Sequence, residues 1–354
     1  MSPDSATRRF PAAALATLAD TLLQAAGADA AKAACVAHNL VGADAMGHST
    51  HGLALLLLYL DFLAKGEMAG SGDWTVLKDT GACLSLDGHQ LPGAWLIEKA
   101  IDLVLARIRQ HGVVTVVLRR SHHTGALAVY LQRVAAAGYL MELQCSSPSG
   151  RGVAPFGGTR PVMTPNPVAA GYPTRGEPVL LDVSSSITTM NYARQLLARG
   201  ERFPAPWVLD DQGRPTDDPQ WVVNGKGSLL PTGGTDHGHK GYATALLTEA
   251  LTQGLAGYGR ADAPAGMSLT VLLRITDPEA FAGLDAFTRQ TEWLAQACRS
   301  NPPVPGGPPV RLPGQAAQAR QRQAAVDGVP LIPAVVHGLR AAAEARGVAA
   351  RFLE

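Results

Sequence analysis

The sequence has few cysteines, and no two of them form a C-x-x-C pair. Cys35, Cys83, Cys145 and Cys298 are far apart in a chain of 354 residues. This spacing gives no support for a zinc ribbon or a thioredoxin-like site, and we expect reduced thiols in a cytoplasmic protein. No basic segment followed by an apolar stretch opens the chain, so we expect no signal peptide.

Long apolar runs and a charge excess are also missing. The longest apolar run, 53–60, is far shorter than the roughly 20 residues that span a bilayer, and it predicts a fully buried helix. The formal net charge is +1, with 17% charged residues. We therefore expect neither a membrane nor a nucleic acid as a partner. With 46% hydrophobic residues, the chain can bury a large core in about two domains.

Several catalytic signatures are absent as well. No G-x-G-x-x-G follows a predicted strand, which argues against a Rossmann dinucleotide site. No G-x-x-x-x-G-K-[ST] is present, which excludes a P-loop. The sequence also lacks the G-x-S-x-G of many serine hydrolases and the H-E-x-x-H of zinc proteases.

Apolar periodicity predicts helices near both ends and a mixed region between them. Asp29 is predicted to cap the second helix. The order of elements predicts a helical layer built from both termini around an inserted α/β core. The predicted helices are 12–26, 30–45, 53–63, 94–110, 126–137, 188–199, 242–255 and 277–300, with two more after 315, and the main predicted strands are 76–77, 83–86, 113–118, 179–183 and 269–275.

Six of the ten histidines lie in three short polar segments beside glycines. These segments are 47–52 (GHSTHG), 121–125 (SHHTG) and 236–242 (DHGHKGY). A histidine exchanges protons near neutral pH when a neighbour fixes its tautomer. The serines 184–186 at a strand end could bind the hydroxyls or phosphates of a ligand, and Lys240 could bind a phosphate or a carboxylate.

These residues alone leave other interpretations open. The histidines could be core residues bonded to backbone carbonyls, and Lys240 could simply extend its charge to solvent. The pairs His48/His51 and His237/His239 could hold a divalent ion if a carboxylate such as Asp44 or Asp236 joined them. We predict no metal, because H-E-x-x-H and any cysteine partner are missing.

At these residues the sequence resembles the malate/L-lactate dehydrogenase-like family of NAD(P)-dependent oxidoreductases, which are not Rossmann proteins. The motifs match in order along nearly the whole chain. They are 50–52 (THG, family S-H-G), 120–125 (RSHHTG, family N-x-N-H-F-G), 154–158 and 165–169 (APFGG and PNPVA, family A-P-x-G-G and T-N-P-I-A), 181–186 (LDVSSS, family L-D-x-A-T-S) and 238–243 (GHKGYA, family G-H-K-G-Y-G).

The resemblance implies an α+β subunit with a mainly antiparallel or mixed sheet, not a Rossmann sheet. It places a helical domain at 1–75 plus 311–354 and a cofactor-binding core at 76–310. It also implies a small-molecule substrate and a homodimer with the cofactor near the subunit interface.

The same resemblance implies a role for each matched residue. His51 is the general acid/base, with Ser49 and Thr50 beside it. NAD or NADP is the cofactor, and the sequence does not choose between them. The implied cofactor residues are His123, Thr124, Gly125, Ala126, Leu127, Asp182, Val183, Ser184, Ser185, Ser186, His239, Lys240, Gly241, Arg311, Pro313, Gly314 and Gln315. The implied substrate residues are His48, Leu55, Thr164 and Asn166.

The chain departs from the family at the substrate end. Leu55 stands where many members have an arginine that can clamp a carboxylate bidentately. A 2-oxo acid then needs another cation, and His48, Arg160 and Lys240 are candidates. Tyr192 stands near the position of an aspartate typical of the imine-reductase branch, which makes that branch less favoured.

We therefore predict an NAD(P)-dependent enzyme that interconverts a 2-hydroxy acid and a 2-oxo acid. The first alternative is a ketimine reductase that forms N-alkyl or cyclic amino acids. A metal-dependent hydrolase or lyase and a non-catalytic binding protein are the remaining alternatives.

Overall fold

The computed structural model describes residues 7–354, which form an α+β fold. Short 3-10 turns and one π-helical turn, Ala250–Gly254, complete it. The strands are β1 (Arg8–Phe10), β2 (Thr75–Asp79), β3 (Cys83–Asp87), β4 (Val113–Ser121), β5 (Leu140–Ser146), β6 (Val168–Tyr172), β7 (Val179–Val183), β8 (Val208–Leu209), β9 (Pro215–Thr216), β10 (Ser228–Leu229), β11 (Leu269–Thr276) and β12 (Val329–Leu331). The helices are α1 (Ala12–Ala25), α2 (Ala30–Met46), α3 (Leu56–Ala64), α4 (Gly93–Leu105), α5 (Ile108–His111), α6 (Ala128–Ala136), α7 (Met190–Arg199), α8 (Gln220–Val223), α9 (Gly234–His237), α10 (His239–Glu249), α11 (Leu284–Arg299), α12 (Gln315–Asp327) and α13 (Pro333–Glu344).

The centre of the fold is a seven-stranded sheet in the order β2-β3-β4-β11-β5-β6-β7. Its neighbouring strands are antiparallel except for the parallel pair β3–β4. A Rossmann sheet is mostly parallel and is wound in βαβ units. The predicted α+β class with a mainly antiparallel mixed sheet is therefore confirmed.

The middle strand, β11, shows why this sequence forms the centre of the sheet. Its side chains alternate between two faces, as period-two geometry requires. Val271, Leu273 and Ile275 join the main apolar core, while Leu272 packs with Val117 on the other face. Burying each such side chain contributes about 1.5–3 kcal/mol, so both faces stabilise the strand.

The two ends of the chain meet in a helical layer. Strand β1 pairs with β12 in antiparallel register, with Arg8 opposite Leu331 and Phe10 opposite Val329. Helix α2 packs against α1 and α12. This agrees with a helical layer built from both termini, while the exact division at 75/76 and 310/311 stays a prediction. Within residues 7–354, no helix has the length and apolar character needed to cross a membrane.

The prediction of one fully buried helix from 53 is wrong in part. Residues Leu53–Leu55 form a 3-10 turn, and α3 begins only at Leu56. Leu57 and Leu58 are 41% and 42% exposed. The helix lies on the surface of the helical layer, and only the side chains at helical spacing, such as Leu60, face the core.

Two further helices differ from their predicted lengths. The segment predicted as 94–110 is interrupted after Leu105, and a separate short helix follows from Ile108. The segment predicted from 277 becomes α-helical only at Leu284, because Gly283 has a φ of +87° that no α-helix accommodates. By contrast, the predicted cap is confirmed: the Asp29 side chain accepts the backbone N–H of Lys32.

Candidate active site

A cavity of about 510 Å³ lies beside the turn after α2, with the ends of β5 and β7 and the start of α7 around it. Its size is typical of a small-molecule site. Many of the predicted site residues, drawn from separate parts of the chain, line this cavity. They are His48, Thr50, His51, His123, Thr124, Gly125, Ala126, Leu127, Thr164, Asn166, Asp182 and Ser184.

His51 ends the 3-10 turn Ser49–His51, which follows α2. The hydroxyl of Thr50 lies 2.9 Å from His51 Nδ1. Because that nitrogen already has a partner, Nε2 is the nitrogen available for proton exchange with a ligand. Burial lowers the pKa of His51 below its usual 6.5, and the charge of Asp182 opposes part of that effect. His51 therefore has the position that a general acid/base needs, with one ring nitrogen held by a neighbour, whereas Ser49 is exposed and lies outside the cavity lining.

A second histidine lies next to His51. The rings of His51 and His123 are nearly parallel, with centroids 6.0 Å apart. His123 Nδ1 lies 2.5 Å from the hydroxyl of Tyr59 and accepts the N–H of Gly125 at 3.2 Å. Since Nδ1 accepts, the proton of the neutral ring is on Nε2. Burial lowers the pKa of His123 to about 3, so His123 stays neutral at physiological pH.

A buried carboxyl group fixes the backbone that follows His51. Asp44 is 5% exposed, and its Oδ2 accepts the N–H of Leu53 at 2.7 Å. The Cα of Gly52 packs so closely on this carboxyl group that a Cβ there would overlap it. Asp44 therefore holds the two residues after His51 in place.

We expect Asp44→Asn to change how stability depends on pH. Burial raises the pKa of Asp44 from 3.8 to about 7, so between these values the folded protein binds more protons than the unfolded chain. Unfolding free energy in the wild type therefore falls as pH rises from about 4 to about 7. Asparagine keeps an acceptor oxygen but does not titrate.

The stability of D44N relative to the wild type should thus increase through this pH window, by at most about 4 kcal/mol, and level off above it. Urea unfolding at several pH values measures the difference, in which the titration of the histidines common to both proteins cancels. Parallel stability curves for the two proteins would contradict the buried, proton-binding state of this carboxyl group.

Asp182 connects the end of β7 to the start of α6. Its Oδ2 accepts the N–H of Ala128 at 2.9 Å, and a carboxylate is favourable at a helix amino terminus. Burial lowers the pKa of the nearby His48, and the negative charge of Asp182 opposes that shift. Asp182 thus stabilises the start of α6 and places a negative charge in the cavity.

The serine segment 184–186 continues from β7. Ser184 lines the cavity, whereas Val183, Ser185 and Ser186 do not. The three serine hydroxyls each donate to a backbone carbonyl and so shape the loop. The acceptors are the carbonyls of Ser186 (2.7 Å), Asn166 (2.9 Å) and Thr188 (2.6 Å), respectively.

Thr164 and Asn166 form another wall of the cavity. The Thr164 hydroxyl donates to Asn166 Oδ1 at 2.7 Å, and Asn166 Nδ2 donates to Glu249 Oε1 at 2.9 Å. Glu249 in turn pairs with Arg260 at 2.7 Å. Asn166 is fully buried, and its φ of +43° lies in the left-handed region that asparagine tolerates. Its amide therefore holds this wall together.

The predicted segments 239–241 and 311–315 lie outside the cavity lining but adjoin its edge. Gly241 donates its N–H to the carbonyl of Thr232 at 3.2 Å, and a Cβ on Gly241 would overlap the backbone of Ser185. On the other side, the carbonyl of Pro313 accepts the N–H of Leu180 in β7 at 3.3 Å. Both segments thus contact close chain neighbours of the lining residues Asp182 and Ser184, and their roles stay predictions.

The predicted substrate position 55 and two of the candidate cations also lie outside the lining. Leu55 is half-buried and packs against the main core. Arg160 and Lys240 do not contribute to the cavity wall. The structure therefore brings only His48, among the proposed substitutes for the arginine, into the cavity.

Sequence reasoning missed the contribution of α7. Thr189, Met190, Asn191 and Arg194 line the cavity. The Thr189 side chain caps the helix by accepting the N–H of Tyr192. The one signal in the sequence was that this predicted helix directly follows the serine segment.

The residues present fit a nicotinamide dinucleotide. The lining combines apolar surface, such as Leu127 and Met267, with hydroxyls and backbone amides, which is the mixture that binds a heteroaromatic ring with an attached amide. Asp182 is the carboxylate in the lining, and its Oδ2 accepts the backbone N–H of Ala128. In residues 7–354, no group of three or more His, Cys, Asp or Glu side chains is arranged to hold a metal ion.

Known proteins resemble this chain along most of its length. A sequence profile described as malate/L-lactate dehydrogenase matches residues 10–340. The L-lactate dehydrogenase of Cupriavidus necator is 33% identical over 323 residues, which cover 89% of this chain and 91% of that protein. The (2R)-3-sulfolactate dehydrogenase (NADP(+)) of Chromohalobacter salexigens is 32% identical over 339 residues, covering 93% and 96%.

A solved structure also superposes along nearly the whole chain. The delta1-piperideine-2-carboxylate reductase of Pseudomonas syringae pvar. tomato has a TM-score of 0.82 and 25% identity, covering 95% of this chain and 100% of that one. The motifs found in the sequence, the mixed sheet and the match over residues 10–340 agree with one another. This chain therefore belongs to the malate/L-lactate dehydrogenase family.

Proposed function

We propose that this protein is an NAD(P)-dependent dehydrogenase that interconverts a 2-hydroxy acid and a 2-oxo acid. The observation that carries the proposal is His51, held by Thr50 at Nδ1 and placed in a cavity together with residues of the predicted cofactor segments. When bound, the nicotinamide supplies the hydride for reduction or accepts it in oxidation. The dehydrogenase class and NAD(P) dependence predicted from the sequence are confirmed by the family and its relatives.

His51 transfers the proton that accompanies the hydride. In reduction, protonated His51 gives its Nε2 proton to the substrate oxygen and becomes neutral. In oxidation, neutral His51 takes the proton of the substrate hydroxyl. Neutral His123 lines the cavity beside His51 and is held in place, because the N–H of Gly125 and the Tyr59 hydroxyl both bond to it.

Ketimine reduction is a second candidate, because the solved structural neighbour is a reductase of a cyclic imine by its name. Against it, Tyr192 stands near the position of the aspartate typical of the imine-reductase branch. Tyr192 does not line the cavity, where Asn191 is present instead. The oxo-acid reaction is therefore the better supported one.

A panel of 2-oxo acids, with and without methylamine and with NADH or NADPH, tests the proposal. Loss of the near-ultraviolet absorbance of the reduced cofactor measures turnover. We expect turnover with at least one 2-oxo acid without amine. Turnover only when methylamine is present would replace the proposal with ketimine reduction.

The pH profile of oxidation should report the titration of His51. Because burial lowers the pKa of this histidine below 6.5, and oxidation needs the neutral base, kcat/KM should be constant at high pH. It should fall in acid with an apparent pKa below 6.5. The acidic limb should persist in D44N, which removes the titration of the neighbouring Asp44. An apparent pKa above 7, or loss of the limb in D44N, would contradict the assignment to His51.

A homodimer and a cytoplasmic location are also part of the proposal. In support of a subunit interface, Leu246, Leu247 and Leu255 on and just after α10 are 48%, 58% and 57% exposed. In support of a reducing compartment, the four cysteines are free thiols. Sedimentation velocity should give the mass of two chains, and a monomer at micromolar concentration would contradict the dimer.

A further inference from the structure

Arg194 is the one Lys or Arg side chain among the cavity-lining residues of the described range 7–354. No other ionisable residue in the lining carries a fixed positive charge. Burial lowers the pKa values of His48, His51 and His123, and Asp182 is an acid. Arg194 is therefore the permanently charged cation that this lining offers to a substrate carboxylate.

The guanidinium of Arg194 is oriented but has no carboxylate partner. Its Nη1 donates to Asn191 Oδ1 at 2.9 Å. Throughout residues 7–354, no Asp or Glu lies within ion-pair distance of Arg194, and its Nε and Nη2 have no protein acceptor. Arg199 on the same helix differs, since it pairs with Glu201 at 2.9 Å.

The free edge of this guanidinium suits a carboxylate. Nε and Nη2 form a parallel pair of donors that matches the two oxygens of a carboxylate. The protein already uses this edge elsewhere: Arg274 binds Glu142 through Nε at 2.6 Å and Nη2 at 2.8 Å. Arg194 lines the cavity, and its free donors are the same pair with which Arg274 holds an acid.

A chain of hydrogen bonds links Arg194 to His51. The Asn191 side chain accepts from Arg194 and donates its Nδ2 proton to the carbonyl of Thr50 at 3.0 Å. Thr50 in turn contacts His51 Nδ1 at 2.9 Å. These contacts connect the start of α7 to the turn Ser49–His51. They therefore fix the position of Arg194 relative to His51.

We propose that Arg194 binds the carboxylate of the substrate, and that Asn191 is a positioning residue that fixes this guanidinium relative to His51. The inference rests on the proposed function, and it defines the substrate class further. The substrate is an acid whose carboxylate is close to the carbon that is reduced or oxidised. Arg194 thus determines specificity for acids over their neutral amides and esters.

The test compares Arg194→Gln with Arg199→Gln as a matched control on the same helix. The probes are oxamate, a 2-oxo acid analogue with an amide in place of the reducible ketone, and oxamide, its neutral counterpart. Calorimetry measures their binding to the enzyme saturated with NADH or NADPH, whose own affinity is measured first.

We expect R194Q to weaken oxamate binding by about 10- to 100-fold, as for the loss of a charged hydrogen-bonding partner. Cofactor and oxamide affinity should stay unchanged, and R199Q should behave as the wild type. R194K, which keeps the charge but not the paired donors, should be intermediate. Asn191→Ala should lower the ratio of oxamate to oxamide affinity while the cofactor affinity is kept.

Two results overturn the inference and are distinguishable. If the wild type binds oxamate and reduces 2-oxo acids, but R194Q binds oxamate equally well, the assignment of Arg194 is wrong and the proposed function stands. If the wild type binds the reduced cofactor but neither binds oxamate nor reduces any 2-oxo acid, the proposed function fails, and the inference fails with it.

Discussion

His51→Ala should lower kcat for reduction of the preferred 2-oxo acid by about 10²- to 10⁴-fold, the usual contribution of a general acid or base. The neighbouring histidine does not replace this proton. His123, the ring beside His51, has a pKa of about 3 because it is buried, and its Nδ1 is already bonded.

The measurement is steady-state reduction with saturating cofactor, together with the affinity for NAD(P)H and the unfolding midpoint in urea. His337→Ala is the matched control, because His337 is an exposed histidine on α13 outside the cavity lining. We expect H51A to fold and to bind the cofactor as the wild type does. A folded H51A protein with near wild-type turnover would refute the role of His51.

Gly125→Ala should destabilise the protein by about 2–4 kcal/mol and disturb the wall beside His51. Gly125 has a φ of +69°, where an L side chain adds about 1–2 kcal/mol of strain. A Cβ there would also overlap Oδ1 of the buried Asn39, whose Nδ2 donates to the carbonyl of Ala126. Relief of that overlap requires movement of the segment that carries the N–H bonded to His123.

Gly66→Ala separates the two causes. Gly66 has a nearly identical φ of +70°, but a Cβ there meets nothing within 4 Å. Urea unfolding should therefore show the larger loss for G125A, with a loss of about 1–2 kcal/mol for G66A from backbone strain alone. G125A should also show lower kcat/KM than G66A. Equal losses in the two variants would contradict the close packing of Gly125 on Asn39.

Much of the fold follows from local features of the sequence. Asp29 was predicted to cap a helix and does so, and the β-branched run 113–118 forms the strand β4. The start of α3 was not predictable in this way. The start of this helix depends on the Asp44 carboxyl group, which accepts the N–H of Leu53, nine residues further along the chain. A tertiary hydrogen bond of this kind leaves no periodic signal.

The candidate site also combines residues that the sequence predicts with contacts that it does not. His51 and His123 were predicted because each lies in a short continuous motif that can be compared directly with the family pattern. The Tyr59–His123 contact joins residues 64 positions apart, and the Asn191–Thr50 contact joins residues 141 apart. Arg194 lies in no such motif, so its presence in the cavity became evident only once α7 was placed against the turn after α2.

The most direct test of the central claim follows the hydrogen on C2 of the substrate. The wild-type enzyme is incubated in ordinary water with the oxidised cofactor and with the best 2-hydroxy acid, which carries deuterium at C2. The mass of the recovered reduced cofactor is then measured by mass spectrometry. The proposed reaction predicts one deuterium on the nicotinamide ring for each 2-oxo acid formed. Unlabelled reduced cofactor, with the deuterium lost to water, would contradict direct hydride transfer and with it the proposed function.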